Sequence, residues 1–378
     1  MLMKKMSIAF LTTIMLVAGW SAYSADEVSV AELRARGQFA VDDLHKRWSD
    51  AAPEQRAELQ AELDRVCAQK DCHASRLFWY TDLEEARAAA RQLRRPILAL
   101  HLLGRLDEEL SCANSRFFRT LLYSDDAIAR IMRDDYVLYW HSVRPVPRVT
   151  IEMGDGRVIR QTITGNSAHY VLASDGAVLD MLPGLYSPDA FRKQLEEWVQ
   201  LDRDVAGDRR AEKLQQYHLL RFDQLTVRAA QLGLDRTQYA GLQPVWVAQQ
   251  QAQSKVAIEA PMLSQFRLND RRRGYQWRYP RNARVEADVR FSESTLALMR
   301  TKQTLTDALL ANLRQTVARD TQMNEYDLHR RVHEWFSRNE VRDLQSLNER
   351  VYDELFLTPS SDPWLGLVPD SVFMAVGE

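Results

Sequence analysis

The stretch Pro96-Ile97-Leu98-Ala99-Leu100-His101-Leu102-Leu103-Gly104 decides the fold of this 378-residue chain. Its apolar run predicts a buried strand, and Gly104 marks the end of that strand. An acidic loop, Asp107–Glu109, leads to Ser111, a residue type that favours the N-cap of a helix. Apolar residues then recur at helical spacing. The sequence therefore predicts a strand followed by a helix that carries Cys112 in its first turn.

Further elements surround this unit in a regular order. Turn residues, caps and apolar periodicity give their positions. In chain order they are a strand at Arg76–Thr81, a helix at Leu83–Leu93, a helix at Asp125–Met132, a strand at Tyr136–Trp140, a hairpin of Val149–Ile151 with Arg157–Ile163, a hairpin of His169–Leu172 with Ala177–Leu182, and a helix that opens at Ser187-Pro188.

This order, together with several local strings, resembles the thioredoxin superfamily. Arg95-Pro96-Ile97-Leu98 is similar to the entry to the family's central strand, and Cys112-Ala113-Asn114-Ser115 stands where the Cys-x-x-Cys motif belongs. Gly165–Gly176 is similar to the family's Gly-Thr-Pro-Thr segment with its strand and turn, and Leu182-Pro183-Gly184 and Ser187-Pro188 are similar to the last strand and last helix. The resemblance implies an α/β domain with a central mixed sheet flanked by helices.

Two departures from the family pattern fall on the residues that carry the family's chemistry. Ser115 replaces the second motif cysteine, so no disulfide can form within the motif. Ser167 stands at the position of the cis-proline, which in the family faces the motif and contacts the substrate backbone. The resemblance covers about Leu77–Val199, and within it dithiol redox cycling is not supported.

The rest of the chain divides into further parts. We expect a signal peptide at 1–25, a helical N-terminal extension at 26–69, the thioredoxin-like domain at 70–200, and a mainly α-helical C-terminal domain with an extended tail at 201–378. The helical patterns outside the thioredoxin-like domain include Val28–Val66, read as two helices divided near Ala52-Pro53, and two long helices at Ser294–Arg319 and Met323–Arg338.

The N-terminus is typical of an export signal. Lys4 and Lys5 precede the apolar run Met6–Ala18, and Ala22–Ala25 offers a small-residue cleavage site. We expect an extracytoplasmic protein, periplasmic or secreted, without stable membrane insertion after cleavage; an uncleaved anchor is the alternative. The formal net charge of −2 gives no reason to expect a nucleic-acid partner.

An oxidising compartment allows disulfides. Cys67 and Cys72 are close enough in sequence to form a local one, and this pairing leaves Cys112 as the unpaired thiol. A helix start favours the thiolate of Cys112, whereas the acidic run Asp107–Glu109 opposes it. The candidate catalytic residues are therefore Cys112 and Ser115, with Ser115 as a hydrogen-bond donor to the thiolate.

Glu325, His329 and His333 are spaced by four residues on a predicted helix and share one face. Two such histidines can bind a divalent metal, but a stripe of this kind more often forms an interface between helices. We therefore expect neither a metal nor a cofactor, and keep the metal as an alternative.

Three other histidines, His101, His141 and His169, lie on strands that the resemblance makes neighbours. We expect each of them to be a hydrogen-bonded structural residue.

Two functions remain after these arguments. The favoured one is a non-enzymatic interaction or scaffold module that uses a degenerate thioredoxin-like site and binds an unidentified protein partner. The alternative is a monothiol redox protein that acts through Cys112.

Overall fold

The structure is a computed structural model that describes residues 29–162, 165–234, 288–356, 358–359 and 361. The predicted signal peptide and most of the predicted tail lie outside these residues. Within the described part, no helix combines the length and apolar character needed to cross a membrane.

A five-stranded mixed sheet forms the centre of the molecule, and a separate two-stranded hairpin lies beside it. The strands are β1 (Trp79–Tyr80), β2 (Ile97–Leu103), β3 (Val137–Arg144), β4 (Arg148–Glu152), β5 (Val158–Thr162), β6 (Ser167–Leu172) and β7 (Val178–Pro183).

Helices precede, flank and follow the sheet. Those before β7 are α1 (Val30–Ala35), α2 (Gln38–Asp50), α3 (Pro53–Cys67), α4 (Cys72–Ser75), α5 (Leu83–Leu93), α6 (Ala113–Phe117) and α7 (Asp126–Asp135). Those after it are α8 (Pro188–Val205), α9 (Arg210–Gln231), α10 (Glu293–Lys302), α11 (Asp307–Met323), α12 (Arg330–Ser337) and α13 (Leu344–Arg350). Three π-helical segments continue α6, α11 and α13, at Phe118–Leu122, Asn324–His329 and Val351–Leu355.

The strand order in the sheet is β1-β3-β2-β6-β7. Strands β1 and β2 run parallel to β3, and β6 runs antiparallel to both β2 and β7. All seven residues of β2 are buried, as its uninterrupted apolar sequence predicts for a central strand covered on both faces. The predicted order of strands and helices is confirmed, although the strand expected at Arg76–Thr81 is only two residues long.

The helix after β2 begins one residue later than predicted. Cys112, not Ser111, occupies the N-cap, with extended backbone angles and no side-chain cap hydrogen bond. The Ser111 hydroxyl instead lies 2.6 Å from the Ser115 hydroxyl, so it is not available to cap the helix.

The N-terminal extension contains three helices before Cys67 where two were predicted. The predicted division at Ala52-Pro53 is confirmed, and a second one falls at Gly37, whose φ of 60° favours glycine. Cys67 is bonded to Cys72, as predicted, and closes the turn between α3 and α4. The indole N–H of Trp140 on β3 donates to the Ala68 carbonyl at 2.8 Å and joins this extension to the sheet.

The C-terminal region is helical, as predicted, but its first long helix is interrupted. Ser294–Arg319 was expected to be continuous, whereas α10 ends at Lys302 and α11 starts after Thr306. The Thr306 hydroxyl accepts a hydrogen bond from the Leu309 amide, which is the N-cap arrangement that starts a new helix. Apolar residues from the later C-terminal helices belong to the same buried cluster as the strands of the sheet. Examples are Val332 and Trp335 of α12 and Val351 of the last π-helical segment.

Candidate functional site

Cys112 lies at the N-cap of α6, between the end of β2 and the start of β6. Its side chain is 0% exposed, and it is the free cysteine of the described residues. The Cys112 Sγ lies 2.8 Å from the Oγ of Ser167, the first residue of β6. The two positions that the resemblance places opposite each other therefore are in contact.

Ser115 is also fully buried, but its hydroxyl does not contact the thiol. It lies 2.6 Å from Ser111 Oγ and 2.8 Å from the Cys112 carbonyl oxygen. The expected hydrogen bond from Ser115 to the Cys112 sulfur is therefore replaced by one between that sulfur and Ser167. The sequence already marks Ser167 as unusual, because a serine stands where the family has proline.

The acidic loop before Cys112 is neutralised by basic side chains. Arg105 pairs with Asp107 at 2.6 Å, Arg148 pairs with Glu108 at 2.5 Å, and Lys302 lies 3.9 Å from a carboxylate oxygen of Glu109. These carboxylates thus form ion pairs with basic residues of the loop itself, of β4 and of α10.

The C-terminal segment closes the strand end that carries Ser167. Tyr352 is 2% exposed, and its hydroxyl donates to the carbonyl of Asn166 at 3.1 Å. The Asn166 side chain in turn donates to the Thr358 hydroxyl at 2.9 Å. Tyr352 and Cys112 belong to one continuous buried cluster. The thiol is therefore buried in the same cluster as a residue from the far end of the chain, and that residue bonds to the neighbour of Ser167.

Two of the three histidines on the strands, His101 and His169, are buried and hydrogen-bonded, as expected, whereas His141 is exposed. His101 pairs in register with His141, and their ring centroids are 5.3 Å apart. His101 Nδ1 lies 2.9 Å from the Asn348 side-chain oxygen, and His169 Nε2 lies 2.6 Å from the Tyr123 hydroxyl. Burial, assisted by His141, lowers the pKa of His101 to about 3, and burial alone lowers the pKa of His169 to about 3. Both are therefore neutral at neutral pH.

A second polar group lies at the sheet edge formed by β7. Asp180, His329 and His333 are all buried, and one potential ligand atom from each lies within 4.8 Å of the other two. His329 Nε2 is 3.1 Å from an oxygen of Asp180. His218 of α9 completes the group, with its Nδ1 2.7 Å from Nδ1 of His333.

Burial and the mutual proximity of these side chains both shift their pKa values. Desolvation raises the pKa of the Asp180 carboxyl, but His329 and His333 outweigh it and hold that pKa below its ordinary value. Desolvation lowers the pKa of His218 to about 4 and that of His333 well below its ordinary value. His218 is therefore neutral at neutral pH.

The predicted stripe of Glu325, His329 and His333 is only partly realised. The two histidines come together, but Asp180 takes the place expected for Glu325. Glu325 lies with His329 in the π-helical segment Asn324–His329, but it is not part of the buried group. Glu325 instead lines a surface groove that His329 also reaches.

Sequence reasoning missed Asp180 and His218. A signal for Asp180 was present, because a lone carboxylate within Val178-Leu179-Asp180-Met181-Leu182 is unexpected in a strand with an apolar pattern. His218 carries no comparable signal, because α9 is rich in polar residues.

Comparison with protein-family models finds none that matches the chain. No curated protein matches it either.

Proposed function

We propose that the chain is an exported, non-enzymatic interaction or scaffold module built on a thioredoxin-like domain. The strand order β1-β3-β2-β6-β7, with three parallel strands followed by an antiparallel pair, supports the thioredoxin-like interpretation. The contact between Cys112 and Ser167 supports it further, because the resemblance predicts that these two positions face each other.

The observation that carries the proposal is the burial of the Cys112 thiol. A thiol that attacks a disulfide must reach a sulfur atom of its substrate as the thiolate. Cys112 is 0% exposed and has the Ser167 hydroxyl at 2.8 Å. The adjacent Asn166 is held by Tyr352 at its backbone carbonyl and by Thr358 at its side-chain amide. The family's catalytic position thus contributes to internal packing in this chain.

A partner must consequently bind elsewhere than at the thiol. The partner surface was expected at the degenerate thioredoxin-like site. Because residues of the chain itself bury Cys112, we now place that surface away from the thiol. A protein that lacks an accessible thiol, a second motif cysteine and the substrate-contacting proline can use its surface for recognition without redox turnover.

The test is the reactivity of Cys112 in purified mature protein with its 67–72 disulfide intact. We expect slow alkylation of the native protein, rapid alkylation in denaturant, and no reduction of insulin disulfides. Oxidised glutathione should add no glutathionyl group to the folded protein by intact mass, and Cys112→Ser gives the matching blank. Rapid native labelling, or a glutathionyl adduct that Cys112→Ser abolishes, would overturn the proposal in favour of a monothiol redox protein.

A further inference from the structure

The buried group at the edge of β7 brings together ligand types that suit a transition metal. Asp180 comes from β7, His329 from the end of the π-helical segment, and His333 from α12. Asp180 and His329 are 149 residues apart in sequence. The fold therefore brings these side chains together, and one potential ligand atom of each lies within 4.8 Å of the others.

The hydrogen bonds around His333 leave one of its ring nitrogens available as a ligand. His218 Nε2 lies 2.8 Å from the Leu179 carbonyl, which can only accept, so this nitrogen carries the proton. Nδ1 of neutral His218 then accepts from Nδ1–H of His333 at 2.7 Å. His333 Nε2 is thus left with a lone pair, and this buried atom has no hydrogen-bond partner. Metal-binding histidines are commonly held in this way, with the other ring N–H donated to a fixed acceptor.

Asp180 is oriented in a similar way by groups behind it. Its Oδ1 accepts the Met181 amide at 2.8 Å, and its Oδ2 accepts the Trp198 indole N–H at 2.9 Å. These donors hold the carboxylate but do not cancel its charge. A carboxyl group that is 0% exposed is usually paired with a positive charge or bound to a metal ion.

We propose that Asp180, His329 and His333 bind a divalent first-row metal ion, with Zn²⁺ as the best match. Imidazole nitrogens and a carboxylate are zinc ligands, at about 2.0–2.2 Å from the ion. Two ligands at such distances and a tetrahedral angle lie roughly 3.3 Å apart. The 3.1 Å between His329 Nε2 and the Asp180 oxygen is close to that separation.

Three protein ligands leave one position of a tetrahedral ion for water or an anionic ligand. His329 lines the surface groove together with Tyr186, Arg221 and Glu325, so the groove reaches one ligand of the proposed site. The ion would also join β7 to the helices that cover it. The alternative without a metal is an ion pair between Asp180 and a protonated His329.

The experiment uses full-length mature protein without a histidine tag, stripped of metal and titrated with Zn²⁺ against a chromophoric chelator. We expect one equivalent to bind. His333→Gln should weaken binding by at least about 100-fold, and His218→Gln, which removes the supporting hydrogen bond, by about 10–100-fold. His101→Gln is the matched control, because His101 is equally buried but lies outside the group, and it should bind as the wild type does.

X-ray absorption of the zinc-loaded wild type gives a second measurement that needs no variant. It should show nitrogen and oxygen ligands near about 2.0 Å, scattering from two imidazoles, and no sulfur at about 2.3 Å. Absence of binding by the wild type would overturn the proposal and leave the ion pair. A sulfur ligand, or equal binding by His333→Gln and the wild type, would overturn it as well.

Discussion

Replacing Tyr352 by phenylalanine tests whether the C-terminal segment shields the Cys112 thiol. The change removes one hydroxyl, whose hydrogen bond to the Asn166 carbonyl spans 3.1 Å between buried groups. A hydrogen bond of this kind contributes about 0.5–1.5 kcal/mol to stability, and a carbonyl left unpaired costs more. We therefore expect Tyr352→Phe to lower the free energy of opening the C-terminal segment by about 1 kcal/mol.

This change in free energy predicts a change in the alkylation rate of Cys112. If Cys112 reacts only when the C-terminal segment opens, and reclosing is fast, labelling follows the population of the open form. A loss of 1.4 kcal/mol corresponds to a factor of ten, so about 1 kcal/mol predicts roughly fivefold faster alkylation in Tyr352→Phe. The assay is intact-mass kinetics with a small alkylating agent under native conditions.

Tyr136→Phe is the matched control. The Tyr136 hydroxyl is also buried and donates to a backbone carbonyl, that of Leu195, at 2.5 Å. This bond joins the end of α7 to α8 and does not involve the C-terminal segment. We expect a similar loss of global stability in denaturant titrations but no change in Cys112 labelling under native conditions. Equal acceleration in both variants would mean that the thiol is reached only by global unfolding, and no acceleration in Tyr352→Phe would refute the shielding.

Three further predictions concern pH, the disulfide and export. His101 and His169 have pKa values of about 3 in the folded protein against about 6.5 when unfolded, so the unfolded state binds more protons below pH 6.5 and stability falls as the pH drops. Denaturant unfolding at pH 5.5 should show about 1.4 kcal/mol less stability per histidine than at pH 7.5, and no loss would contradict their neutral burial. The Cys67–Cys72 bond closes a very short loop, so we expect its reduction to destabilise the protein by well under about 3 kcal/mol in the same assay. A larger loss would show that the bond contributes more than loop closure. Intact mass of protein from the extracytoplasmic fraction should place the mature N-terminus between residues 21 and 26, and a soluble product that retains the first residue would contradict export.

The strands and helices around β2 could be predicted because their signals are local. The apolar run of β2, the Asp-Gly turn before β7 and the Ser187 cap of α8 each determine structure within a few residues. The errors arose where two local options were nearly equal. Ser111 is the better capping residue type, yet its hydroxyl contacts Ser115, and the helix begins after Cys112.

The surroundings of Cys112 could be predicted only in part. The resemblance placed Ser167 opposite it, and the two side chains do meet. The bond from Tyr352 to the residue before Ser167 could not be foreseen, because it links residues 186 positions apart and no periodicity carries that information. The same limit applies to Asp180 and His329, whose meeting depends on how the C-terminal helices pack against β7.

Both polar groups therefore depend on the same C-terminal helices. At one end of β6 these helices provide Tyr352, which bonds beside Ser167, and along β7 they provide His329 and His333, which surround Asp180. Without them the sheet would expose the apolar residues of its edge strand β7, which is unfavourable for an isolated domain. The apolar residues of helices and sheet also form one continuous cluster, so we expect the sheet and these helices to stabilise each other. The region predicted to be a separate helical domain then has a specific role, which is to complete the interior of the sheet at the two places where the sequence puts polar side chains.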